Sequence, residues 1–86
     1  MDGQPLHGLR VVELCEGIAG PWAGRLLSGY GADVIKVEPP TGDRSRALGP
    51  FPSDGPNPET GALHLHLNTG KRSVVGEVGD ELVDRL

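Results

Sequence analysis

Aromatic side chains are scarce in this chain of 86 residues: one Trp, one Tyr and one Phe make up 3% of it. Large rings supply much of the area a small core buries, so an aromatic-packed interior is excluded. A domain of this length also buries only a modest part of its unfolded surface. The 14 glycines and 8 prolines fall mostly in connections that bury little, which predicts reliance on a partner or on further polypeptide for stability. With one cysteine, Cys15, there is no internal disulfide framework, and a reducing compartment fits. No apolar run approaches membrane-spanning length and no charged-then-apolar leader precedes the first predicted strand, so a cytoplasmic protein without membrane insertion is the expectation. Positive charge is short as well. The formal net charge of −4 argues against general binding to nucleic acid or to an anionic membrane, although a local basic patch would still hold one polyanionic ligand. There is no internal repeat and no low-complexity tract.

What is present is organised around residues 10–37. Val11, Val12 and Leu14 form a short apolar run that predicts a strand over about residues 9–15. A glycine-bearing turn follows at 17–20. Pro21 then suits the first position of a helix, where its missing N–H would be unpaired anyway, with Gly20 as N-cap. Ala23, Leu26, Leu27 and Tyr30 recur at helical spacing and predict the apolar face, with Trp22, Arg25 and Ser28 off it. Gly31 supplies a left-handed stop. The run Val34, Ile35, Lys36, Val37 returns after one helix, so it is expected parallel to the first strand in a right-handed crossover. The fold class is therefore α/β, built on a Rossmann-like parallel βαβ core that is incomplete.

Residues 1–7 are a polar lead-in. Beyond Val37, Pro39 and Pro40 end the second strand, and from 44 to 61 prolines and glycines recur in an excursion with no core of its own. Residues 63–67, Leu-His-Leu-His-Leu, alternate strictly, the pattern of a half-buried strand. Residues 68–72 form a turn with Lys71 and Arg72, leading to a third strand over 73–78. Asp80 is placed to cap a last helix carrying Leu82, Val83 and Leu86, which spans barely two turns and reads as interrupted.

Several groups carry candidate chemistry. The loop from Gly17 to Gly20 leaves a strand and enters a helix, so unpaired N–H groups and the helix dipole would favour an anion there; the plain alternative is a tight turn. Glu38 follows by about 20 residues, where a dinucleotide fold places its ribose-binding acid, although a solvated carboxylate before Pro39 is the simpler reading. Cys15 has no neighbouring histidine in sequence and reads as a buried, inert thiol. His64 and His66 have no further ligands nearby to complete a metal set, so no metal is expected. Arg44, Arg46, Lys71 and Arg72 suit phosphate if the excursion folds back, with surface charge as the default. Asp43 and Arg46 are expected to form a local ion pair that shapes the loop, worth little if exposed.

Taken together and in order, these residues resemble the family III CoA-transferases, the CaiB/BaiF family, which includes acyl-CoA racemases. The resemblance runs through Pro5-Leu6, Gly8 to Leu14, Ala19-Gly20-Pro21 with Ala23, Gly31 to Pro40, Gly42-Asp43 with Arg46, Gly49-Pro50, and Asn68 with Lys71 to Val74. It implies that residues 1–86 are the amino-terminal CoA-binding segment of a longer chain that pairs as an interlocked homodimer. It implies CoA contacts at Ile18 and Ala19 and at Gly76, Glu77, Val78 and Gly79; Lys71 and Arg72, from the reading of the residues themselves, are the basic groups offered to its phosphates. Gly76 and Gly79 depart from the larger residues usual there, and Pro39 stands where some members carry an arginine against the adenine. It further implies a short helix over residues 60–67, against the alternation. The family's transferases move CoA between carboxylic acids through an acyl-CoA thioester, using an aspartate nucleophile that no residue here matches; the racemases' acid and base pair is likewise unmatched. No catalytic residue is assigned, and the isolated chain is expected to be inactive. The rival readings are an acyl-CoA racemase segment, a nicotinamide-binding oxidoreductase domain using Gly17, Gly20 and Glu38, and a non-catalytic piece that associates with a longer homologue.

Overall fold

The computed structural model describes residues 4–52 and 55–86; residues 1–3 of the lead-in and 53–54 of the excursion lie outside it. Three strands form one sheet: β1 (Arg10–Glu13), β2 (Asp33–Glu38) and β3 (Arg72–Val75), in the order β1-β2-β3. All pairings are parallel, with Val11 beside Val34, Glu13 beside Lys36, and Lys36 beside Ser73. The expected parallel βαβ unit is therefore present. Its helix is α1 (Ala19–Gly29), and a second crossover carries a 3-10 turn (Arg44–Ala47) and α2 (Ala62–Asn68) before β3. A short α3 (Glu81–Asp84) closes the described chain. Among the described residues no helix is long and apolar enough to cross a membrane.

β2 lies between two partners and is buried from Val34 to Glu38, as a parallel strand covered by crossovers must be. The apolar core is small: Ala32, Val34, Ile35, Val37, Leu67 and Val83. Both outer strands are shorter than expected. β1 stops at Glu13, leaving Leu14 and Cys15 exposed, and β3 runs from Arg72 to Val75, with Gly76 N still donating to Glu38 O of β2 at 2.8 Å and residues 77–78 outside the strand. The exposure of Cys15 corrects the buried-thiol expectation.

α1 begins two residues before Pro21, with Ile18 as N-cap. Pro21 occupies the third helical position, still within the four whose N–H groups have no intrahelical partner. Gly31 does stop the helix, at φ +103°. The expected apolar face is a correction: Leu26 and Tyr30 are 45% and 58% exposed, and the buried positions are Pro21 and Gly24. The reason lies beneath the helix, where the sheet presents the side chains of Glu13 and Lys36, and only small residues permit the backbone to approach them. Ala23 and Leu27 instead border a groove along the free edge of β1 with Val11, Val12 and Leu14.

Residues 63–67 are helical, as the resemblance implied and the alternation did not. His64 and Leu67, three apart, are the inward pair. A helix needs only those two on one face, so the alternate leucines Leu63 and Leu65 carry no strand signal; Leu65 is exposed.

Candidate functional site

The centre of the molecule is ionic. On one face of the sheet Lys36 Nζ donates to Glu13 Oε2 at 2.8 Å and pairs with Asp43 Oδ2 at 2.6 Å, while Lys71 Nζ pairs with the other Glu13 oxygen at 2.7 Å. All four side chains are at most 3% exposed. Two lysines and two carboxylates balance, which is the condition under which burial of charge is tolerated. Burial works against the Lys36 charge, but Asp43 and Glu13 outweigh it and raise its pKa. Lys71 has one carboxylate only; burial prevails there and lowers its pKa. Its ammonium also donates to Pro21 O and Asn68 Oδ1, at 2.8 and 2.7 Å.

Asp43 carries this core to the βα turn. Its Oδ1 accepts from Ser45 N at 2.8 Å, capping the 3-10 turn, and from Gly17 N at 3.2 Å. Lys36 reaches Cys15 O at 3.4 Å. Gly17 has φ +86°, a conformation that favours glycine, so one carboxylate fixes the strained residue of the turn. Burial alone would raise the Asp43 pKa; the Lys36 ammonium and the N–H groups of Ser45 and Gly17 reverse that and hold it well below the ordinary carboxylate value. The expected local pair of Asp43 with Arg46 is thereby corrected: Asp43 is buried against Lys36, and Arg46 pairs with Glu38.

Arg46 forks onto Glu38, Nε to Oε2 and Nη2 to Oε1, both at 2.7 Å. Glu38 is 4% exposed and also accepts from Asp43 N at 3.0 Å. Arg46, by hydrogen bond, lowers the Glu38 pKa against burial. Glu38 is thus neither the solvated carboxylate expected nor free to hold a ribose hydroxyl. Beside it His64 is buried, and burial, then the Arg46 charge, lowers its pKa. Because Lys71 engages Asn68 Oδ1, the Asn68 amide nitrogen faces His64 Nδ1 at 3.2 Å. Nδ1 therefore accepts, and Ser45 Oγ donates to it at 2.8 Å. His66 is exposed and stacks on Trp22, with centroids 5.8 Å apart. Among the described residues no group of His, Cys, Asp and Glu is arranged to hold a metal ion.

This core sets an expected acid response. The folded pKa values of Glu38 and Asp43 lie below their ordinary 4.5 and 3.8, so on acidification the unfolded chain takes up protons first. Stability is then fully present above about those ordinary values and is lost as pH falls through them toward the folded values. Urea midpoints measured between neutral pH and pH 3 would check this, and an unchanged midpoint would contradict it.

The residues singled out for ligand binding fall at two ends of the sheet. Gly76, Glu77 and Val78 follow β3 and line a cleft at the carboxyl ends of the strands with Leu14, Glu16, Val37 and Pro39. Gly79, next in the same turn, has φ +102°. Ile18 and Ala19 open α1 just after β1, and Ile18 borders a second hollow with Gly17, Arg44 and Leu48. Lys71 and Arg72 lie at the amino end of β3, away from that turn. Lys71 is committed to Glu13, and Arg72 forks onto Asp33 at 2.9 and 2.6 Å. A cavity of 630 Å³ is formed by the excursion, between Glu16, residues 41–44 and 46–47, Phe51 and residues 56–58. Sequence reasoning missed Glu13, Lys36 and Asp43 as a unit; a lysine within an otherwise apolar strand was the available signal.

Comparison with known proteins bears on the family and the fold. Residues 6–81 match CoA-transferase family III. The chain is 48% identical over 89 residues to a succinate–glutarate CoA-transferase of Agrobacterium fabrum, covering 95% of this chain and 22% of that one. It is 38% identical over 79 residues to a succinyl-CoA:glutarate CoA-transferase of Mus musculus, covering 90% and 17%. Among solved structures, a CaiB/BaiF family protein from Brucella suis superposes with a TM-score of 0.76 at 41% identity, over 95% of this chain and 22% of that one. A hypothetical protein from Mycobacterium tuberculosis gives 0.72 at 36%, over 95% and 21%. The chain thus spans about a fifth of the length of these relatives.

Proposed function

The chain belongs to CoA-transferase family III, and from that membership we propose that residues 1–86 are the CoA-binding, Rossmann-like segment of an enzyme that moves CoA between carboxylic acids. The observation that supports this most directly is the strand-end cleft lined by Gly76, Glu77 and Val78 together with Leu14 and Glu16, the residues that lead from β1 toward Ile18 and Ala19. Ligands of parallel α/β sheets bind at the carboxyl ends of the strands. Glu16 and Glu77 line the cleft and would repel phosphate, whereas carboxylate oxygens suit the amide N–H groups of an uncharged arm. The pantetheine arm of CoA therefore crosses here, and the phosphates lie outside.

The residues of this segment bind and orient; none supplies the nucleophile. The aspartate whose carboxylate attacks the acyl-CoA thioester and takes the acyl group as CoA leaves, the acceptor acid that later receives CoA, and the second subunit of a homodimer belong to the whole enzyme, working in the cytoplasm. Here the ionic core has a functional consequence. Asp43 and Lys36 hold the Gly17 turn, so the thiol carrier meets a turn that is already ordered.

Titration of the isotopically labelled chain with CoA, followed by amide resonances, tests this reading. Shifts are expected at Ile18, Ala19 and residues 76–79, with none from NAD. Silence toward CoA, or an equal response to NAD, would overturn it.

A further inference from the structure

We propose that Arg44 reads the distal carboxylate of a dicarboxylic acid seated in the excursion's cavity; this deepens, and rests on, the CoA-transferase reading. The cavity of 630 Å³ lies in the size range of small-molecule sites, roughly 300–1,000 Å³. Ala47, Phe51, Pro56 and Pro58 give it apolar walls, Arg44 and Arg46 are its cations, and its carboxylates, Asp43 and Glu16, are engaged by Lys36 and by the Arg44 backbone N–H. Arg46 is spent, its guanidinium shared between Glu38 and the carbonyl of Pro58.

Arg44 is not. Its backbone N–H donates to Glu16 Oε1 at 3.2 Å, but its guanidinium makes no hydrogen bond or ion pair with any described residue. It is nonetheless placed. It follows Asp43, the buried cap of the 3-10 turn, and lies so close over Gly17 that a Cβ there would sit 2.9 Å from its Nη2. The same side chain borders the hollow that contains Ile18, so it stands between the cavity and the thiol-carrier turn.

A planar fork with free donors matches a carboxylate or a phosphate. The apolar walls decide between them, since a bare phosphate gains nothing from Phe51 and two prolines, whereas the hydrocarbon body of an organic acid does. One carboxylate of that acid must remain free to react with the thioester. The group that Arg44 holds is therefore a second one, and Arg44 distinguishes diacids from monoacids of similar length.

The test follows the Arg44 Nε–H and the amides of Ala47 and Asn57 in the labelled chain at fixed ionic strength, with glutarate, butyrate and inorganic phosphate as probes. Glutarate is expected to bind at least about tenfold more tightly than butyrate, a difference of about 1.4 kcal/mol. Arg44→Gln should abolish the glutarate response, and Arg44→Lys should keep only part of it, because an ammonium lacks the fork. Equal responses to butyrate or to phosphate, or unchanged glutarate binding in Arg44→Gln, would overturn the proposal. A parallel CoA titration separates the two ideas. CoA shifts at Ile18 and residues 76–79 with glutarate silent would remove the role of Arg44 and leave the CoA reading intact. Silence toward CoA would remove that reading, and the substrate role of Arg44 with it.

Discussion

Lys36→Met is expected to leave the chain unfolded, or nearly so, at neutral pH. The side chain is 2% exposed and lies between Glu13 and Asp43, at 2.8 and 2.6 Å. Methionine fills the same volume but, among the described residues, leaves Asp43 with no cation within ion-pair distance and Glu13 with Lys71 alone. Breaking a buried pair by removing one partner costs about 3–5 kcal/mol. Domains have only about 5–15 kcal/mol in total, and one with so few buried apolar side chains belongs at the lower end. Lys71→Met should be milder, because Glu13 then keeps Lys36 and the Asp43 pair is untouched. Urea titrations followed by circular dichroism would rank the two variants. A Lys36→Met protein within about 1 kcal/mol of the parent would mean that the pair behaves like an exposed one, and that the Gly17 turn is held by something else.

That central lysine shows where the sequence was readable. The parallel pairing of β1 and β2 followed from two apolar runs separated by one helix, and Gly31 fixed where that helix ends. Helical spacing predicts that Ala23, Leu26, Leu27 and Tyr30 form the buried face of α1, and nothing local to the helix signals the charge beneath it. Amphipathic patterning reports which face is greasy, not which face meets the sheet, and here Glu13 and Lys36 reverse the choice. For the candidate site, the glycine turn was legible because its chemistry is local. Its anchor was not, since Gly17 and Asp43 are 26 residues apart and meet only after the crossover has formed. Glu38 was misplaced for the same reason. Its neighbour Pro39 suggests a solvated strand end, while Arg46, which buries it, arrives from the following turn.

The orientation of α1 yields a second large effect, of a sign opposite to helix propensity. Alanine in place of glycine normally stabilises a helix interior by about 1 kcal/mol. At Gly24 the added Cβ would lie 2.0 Å from Glu13 Oε1 and 3.2 Å from Lys71 Cε. Glu13 cannot swing aside, because Lys36 and Lys71 each hold one of its oxygens. Either the helix lifts from the sheet or an ion pair opens. Overpacking together with a weakened buried pair makes Gly24→Ala destabilising by about 3 kcal/mol. Gly29→Ala, in the same helix, meets nothing within 4 Å and should be neutral or stabilising by up to about 1 kcal/mol. Thermal midpoints of the two variants would thus move in opposite directions. Stabilisation by both would show that the Glu13 carboxylate is not clamped beneath α1. The Gly24 variant should also loosen the turn it does not touch: displacing Glu13 disturbs Lys36, Lys36 orients Asp43, and Asp43 accepts the Gly17 N–H. Faster hydrogen exchange at Gly17 in Gly24→Ala, with no change in Gly29→Ala, is the expected signature of that chain of contacts.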